Sequence, residues 1–300
     1  MDHLEVALRL FRAWWETQQD VPLGDIERDG DVFTASAGDR KVAVSLKSLF
    51  EPATGQWQQA KAEAEQQLSS ALENGTYVLW VPPEADLPLE EPGRSDFIFR
   101  AKMLAARLQA GERADLKMPV RLGVRKQDDG GSYVSVLGGL QAVWAWFTNE
   151  VSGVYTLDAT ALKRLPEARE EREQIVKSLV EELKTMESGQ RLVLDAEDSW
   201  TLQRLSGSDG FNIMATPQSE PFVEREVRRR LRSFLTEAAS ELSATGTEVN
   251  ILLILGLYLY ASEENVTVGV RGFDPALYAP FDTVALVADG TLKPIVSRLS

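Results

Sequence analysis

Three hundred residues suit two compact domains or one large one, and 44% hydrophobic with 26% charged residues is an ordinary globular balance. The absence of cysteine excludes thiolate nucleophiles, Cys-rich zinc sites and disulfide exchange, and the single histidine, His3, leaves little room for a Ser-His-Asp triad. A formal net charge of −14 repels phosphate backbones, so nucleic-acid binding would need a local basic face, whereas a protein partner needs no such exception.

The first stretch, "DHLEVALRLFRAWWETQQ", places Leu4, Leu8, Phe11, Trp14 and Trp15 at helical spacing, with Asp2 as its cap. His3 sits at the chain end and is expected to be a frayed terminal residue rather than a base. No basic leader precedes this helix, and the longest apolar run, Ile251 to Ala261, is too short to span a bilayer. The chain is therefore expected to be cytoplasmic and away from membranes.

Residues 24–47 hold three short strand candidates, punctuated by the turn pairs Asp29-Gly30 and Gly38-Asp39. In the third, "RKVAVSLKSLF", Val42, Val44 and Leu46 face one side while Ala43, Ser45 and Lys47 face the other. "DIERDGD" spaces its acids like the opening of a calcium loop, but the twelfth position is Ser36, and a hairpin turn is the better reading. A second helix carries Trp57, Ala60, Ala64, Leu68 and Leu72, and "TYVLWVPP" is a buried strand.

An acidic, Pro-rich linker leads to a helix over 97–108 and a hairpin turning at Asp129-Gly130-Gly131. A helix with Leu140, Val143, Trp144, Phe147 and Val151 on one face follows, after the pair Gly138-Gly139. Pro166 opens a long charged helix with Ile175, Leu179 and Leu183 as its buried side. Residues 190–198 and 211–217 read as strands, and "DAEDSWTLQRL" as a turn between strands that gathers three acids, Asp195, Glu197 and Asp198.

The next helix carries Phe222, Val227, Leu231, Phe234 and Leu235 and the one dense basic cluster, in which Arg225, Arg228, Arg229 and Arg232 share a face. These are the candidate phosphate contacts, although interleaved Glu224 and Glu226 favour salt bridges. A buried strand over 249–260 and strands over 265–272 and 282–290 complete the chain, with Asp282 placed to cap or to pair with Arg271. The recurring α-β-β-α-β order is compatible with a diverged second copy of the N-terminal unit. The expected fold is α/β (α+β), divided as 1–90, 91–165 and 166–300. Neither nucleotide-binding glycine signature is present.

The α-β-β-β-α-β order of the first unit resembles the core of the PD-(D/E)xK nuclease superfamily, over under a third of the chain. In that family an Asp lies on the second strand and Glu-x-Lys on the third, often with Gln or Lys on the next helix. Here Asp31 starts the second strand, Ser45-x-Lys47 lies on the third, and Gln58, Gln59 and Lys61 lie early in the helix. The resemblance implies Mg²⁺-dependent phosphodiester cleavage, which needs at least two carboxylates on the ion and a lysine near the growing negative charge.

Ser45 leaves that set one carboxylate short. The simplest expectation is a degenerate, non-cleaving copy of the fold with no cofactor. It would act as a scaffold or subunit that binds a protein partner or self-associates, in a nucleic-acid-handling or defence assembly. Some restriction endonucleases of the superfamily read Ser/Thr-x-Lys and take their Glu from the next helix. The strict spacing falls on Ala60 here, and Glu63, one turn later, is the candidate, ahead of Glu51. On that alternative Asp31, Lys47 and Glu63 are catalytic, Asp31, Asp25 and Glu63 hold Mg²⁺, and Glu5 could complete the site. A third class is an interaction adaptor or chaperone unrelated to nucleases.

Overall fold

The computed structural model describes residues 2–50, 55–72, 75–82, 85–138, 150–166, 168–207, 209–216, 224–256 and 273–299. The helix expected over 140–151 and the strand expected over 265–272, with Arg271, lie outside the described residues. So does the side chain of Arg225.

Helix α1 (His3–Gln19) starts where the Asp2 carboxylate accepts the Glu5 N–H at 2.8 Å, and it buries Val6, Ala7, Leu10, Phe11 and Trp15. His3 is its first residue and rests partly buried, its ring 6.0 Å from that of Phe50, rather than fraying. Strands β1 (Glu27–Asp29) and β2 (Val32–Ala37) form the expected hairpin, with Gly30 at φ 63° in the turn. The calcium-loop pattern is this turn. Strand β3 (Arg40–Ser48) follows, then α2 (Gln56–Ala71), β4 (Gly75–Trp80) and α3 (Gly93–Ala105).

Two long strands, β5 (Arg113–Asp128) and β8 (Arg191–Leu205), form one continuous antiparallel ladder. Between them in sequence come β6 (Ser132–Leu137), β7 (Gly153–Asp158) and α4 (Arg169–Lys184). After β8 come β9 (Asp209–Met214), α5 (Glu224–Ser243), β10 (Val249–Leu255), a 3₁₀ turn (Pro275–Tyr278), β11 (Thr283–Ala288) and β12 (Thr291–Ser297).

These strands make two six-stranded sheets in a mixed α/β fold. The first runs β1-β2-β3-β10-β11-β12, with β3, β10 and β11 parallel and the flanks antiparallel; Val44 stands beside Ile251, and Ile251 beside Thr283. The second runs β6-β7-β5-β8-β4-β9. Pairing does not follow the 1–90, 91–165 and 166–300 segments: β3 pairs with β10, and β4 pairs with β8 and β9. The α-β-β-β-α-β order is present along the chain, but its last strand belongs to the second sheet.

Two further local expectations are corrected. Strands β5 and β6 are not a hairpin, because β7 returns between them, antiparallel to β5 and parallel to β6. "DAEDSWTLQRL" is not a turn but the body of β8, where alternation exposes Asp195 and Glu197 and buries Asp198.

The layers follow from which faces are apolar. Val42, Val44 and Leu46 of β3, with Ile251 and Leu253 of β10, pack against α1 and against Val78, Trp80, Leu205 and Met214 of the second sheet. The opposite face of the first sheet, including Ala43, Leu252 and Leu286, is covered by Val227, Leu231, Leu235, Ala238 and Leu242 of α5. This is an amphipathic stripe at helical period. On the second sheet, α2 and α3 cover one end of the outer face and α4 the other. Among the described residues no helix is long and apolar enough to cross a membrane.

Candidate functional site

A strand buried on both faces normally reads as a continuous apolar run, as β10 does. Strand β3 departs from this at Ser45, which is fully buried, and Lys47, which is 8% exposed. Both face α5. A buried ammonium needs a partner, and the partner comes from the far end of the chain. Lys47 Nζ lies 2.6 Å from Glu241 Oε1, and Ser45 Oγ donates to Glu241 Oε2 at 2.9 Å. Glu237, one helical turn earlier, reaches Lys47 at 3.8 Å, and Asp31 reaches it at 3.9 Å. Burial by itself would raise the pKa of Glu241. The hydrogen bonds from Lys47 and Ser45, together with the lysine charge, outweigh it and hold the carboxyl below its ordinary value.

Strand alternation and the crossover helix build this geometry. Asp31 precedes β2, where its carbonyl accepts the Leu46 N–H, so its carboxylate stands beside the end of β3. Helix α5 leads directly into β10, the parallel neighbour of β3, and lies across the face that carries Ser45 and Lys47.

Asp31 and Lys47 therefore meet, and Glu63 does not join them. Helix α2 packs on the outer face of the second sheet, where Glu63 pairs with Arg94 at 3.3 Å. Gln58, Gln59, Ala60 and Lys61 share that helix, and Lys61 pairs with Glu65. Asp25 is exposed and lies before β1, and Glu5 pairs with Arg9 at 2.6 Å. Glu51 lies outside the described residues. Among the described residues no group of three or more acidic or histidine side chains has an arrangement that could hold a metal. Both oxygens of Glu241 already accept, one from an ammonium and one from a hydroxyl, so a hard cation there would have to share the carboxylate with those donors.

The basic cluster of α5 is partly absorbed by packing. Arg228 and Arg232 stand over the Phe273 ring at 4.9 and 5.2 Å, and Arg230 donates to the Leu49 carbonyl. Arg229 is exposed.

A second polar cluster joins the sheets. The Arg164 guanidinium, 3% exposed, donates to Asp289 at 2.9 Å and to Thr201, with Asp115 at 3.8 Å. Asp289 sits in the β11–β12 turn at φ 52°, and its neighbour Gly290, at φ 74°, accepts from Gln203 of β8. The Arg164 N–H also donates to Asp198, which accepts as well from Lys163 N–H and Trp200 Nε1. Burial pushes Asp198 up to about 6, against the opposing pull of those donors. Asp198 and Trp200 line a cavity of about 540 Å³ with Met118, Lys163 and Asp96. Asp282 binds the Asn250 N–H across the β10–β11 pair, and Asp274 caps the 3₁₀ turn.

Sequence reasoning missed Glu241, Glu237 and Arg164. The usable signal for Glu241 was indirect: two polar residues on the inward face of β3 required an acid on whichever helix covered them. Comparison with protein families, with curated proteins and with solved structures gave no match.

Proposed function

We propose that the protein is a non-catalytic scaffold or subunit built on a degenerate nuclease-like unit, working with protein partners in a nucleic-acid-handling or defence assembly. The kind of assembly is taken from the resemblance of the N-terminal element order. The observation that carries the non-catalytic reading is the pairing of Lys47. Its ammonium is held 2.6 Å from Glu241, so the lysine that would face phosphate instead ties a helix to a sheet.

The test is incubation of the full chain with single- and double-stranded DNA and RNA in Mg²⁺ or Mn²⁺. No cleavage is expected. Robust cleavage abolished by Lys47→Ala would overturn the reading. One observation favours a second reading, a Mg²⁺-dependent nuclease: Asp31, Lys47 and Glu241 converge, with Glu241 in the space that Ser45 leaves. On that reading cleavage would fall with Glu241→Gln and persist in Glu63→Gln.

A further inference from the structure

Among the described residues four strand edges bound the two sheets, and three of them are guarded against pairing with another chain. Strand β1 is three residues long, and all three are charged and exposed. Strand β12 carries Lys293 and Pro294 and is joined to β11 through a register shift. The outer N–H of Ile213 in β9 is capped by the Glu65 carboxylate of α2 at 2.7 Å. Strand β6 shows no such guard over Tyr133–Leu137 among the described residues. Its residues, Ser132–Leu137, include no charge, no proline and no bulge, and two of them, Tyr133 and Leu137, are 61% and 53% exposed.

The backbone of β6 alternates between its neighbour and the outside. The carbonyls of Gly131 and Leu137 accept from Gly153 and Ala159 at the two ends of β7, so odd-numbered residues direct their polar groups inward. By the alternation of a ladder, Val134 and Val136 direct theirs to the outer edge.

The sequence of the strand is nearly symmetric about Ser135, reading Tyr133-Val134-Ser135-Val136-Leu137. An antiparallel second copy centred on Ser135 would set Val134 against Val136 in a hydrogen-bonded pair at both symmetry-related positions. Each such pair exchanges both of its N–H···O=C bonds. Ser135 would face its own copy, and exposed Tyr133 would face exposed Leu137, both as the closer, non-hydrogen-bonded kind of pair. The two valines already pack against the α4 core, so the pairing would run that core across the axis. The backbone pattern and the side-chain pattern thus select one register.

We propose that β6 is a self-pairing edge, through which two copies join their second sheets into one continuous sheet about a two-fold axis at Ser135. The occupant is a second copy because an isologous contact needs a self-complementary strand, and β6 is one. The inference is independent of the Lys47 site, since a scaffold or a nuclease could pair in this way. A strand pair buries less than a standard interface, so the dimer is expected to be concentration-dependent, in the micromolar to millimolar range.

The test uses the full chain, whose lack of cysteine allows single-thiol reporters. Sedimentation over a concentration series should show a monomer–dimer equilibrium, weakened at least tenfold by Ser135→Lys, which sets two ammonium groups opposite each other on an exposed position. Under mild oxidation Ser135→Cys should form a covalent dimer. Tyr133→Cys alone should not, but mixed with Leu137→Cys it should form the heterodimer. Circular dichroism of each variant checks that it is folded. A monomer at every concentration would overturn the proposal. So would a dimer indifferent to Ser135→Lys, or cross-linking of Tyr133→Cys to itself.

Discussion

Replacing Lys47 by Met removes the ammonium while keeping most of the side-chain volume, and it isolates what the buried pair does. Lys47 is 8% exposed, and its close contact is Glu241 at 2.6 Å. Asp31 and Glu237, at 3.9 and 3.8 Å with side chains 58% and 51% exposed, add only screened attraction. Breaking a buried pair costs about 3–5 kcal/mol, because the remaining charge is stranded. The Glu241 side chain is 32% exposed and can recover some water, which puts Lys47→Met nearer about 2–3 kcal/mol. Glu241→Gln strands the more deeply buried partner and should cost about 3 kcal/mol or more. Urea unfolding of both single variants and the double variant gives the coupling energy, expected at about 1–3 kcal/mol. The pH dependence supplies a second readout. The Glu241 pKa is depressed from 4.5 in the folded state, so its contribution is present above pH 4.5 and is lost as pH falls through the folded value. Lys47→Met should remove that acid-side loss. Additive single variants, with a coupling below about 0.5 kcal/mol, would refute the lock.

Glu63→Gln should shift stability by less than about 0.5 kcal/mol in the same assay, because it removes only a surface pair with Arg94; a loss as large as that of Glu241→Gln would contradict the geometry. Arg164→Met should cost about 3–5 kcal/mol, because it leaves Asp289 buried without its guanidinium; a midpoint unchanged in urea would refute the clasp between the sheets. For Asp198 the folded state holds its proton more tightly than the unfolded chain, so stability should fall as pH rises from 3.8 to about 6, by about 3 kcal/mol in all. Carboxyl carbon NMR should find an aspartate titrating near 6 that is missing in Asp198→Asn, and a value below 4 would show that the N–H donors outweigh burial.

Local periodicity made the mixed α/β class legible, along with α1, the β1–β2 hairpin and the alternation of β3, because each depends on residues a few positions apart. Partnership was less legible. Strand β4 is apolar on both faces and fits any sheet interior, so nothing in it says that it leaves β3 for β8. The Asp129-Gly130-Gly131 turn signals a reversal, but cannot show that β7 will return between β5 and β6. Ser45 and Glu241 are 196 residues apart, and no spacing rule links positions on a strand and a helix so distant in the chain. Glu63 was favoured because a family spacing pointed to the next helix in sequence. The helix that covers β3 is instead the one leading into its parallel neighbour.

Leucine at position 47 would have covered α5 with less desolvation, which raises the question of what a charged pair contributes there. An apolar stripe tolerates some sliding or rotation of a helix, since leucine and alanine repack at modest cost. A buried ammonium does not. Advancing α5 by one residue would turn Glu241 about 100° away and leave Lys47 with only the two carboxylates that already stand near 4 Å. Ser45 tightens the condition, because it must find the second oxygen of the same carboxylate. The pair therefore contributes a penalty for every other seating of α5 more than stability for this one, which is the best-attested use of buried charge. The position where the resemblance places a catalytic lysine is where the fold registers α5.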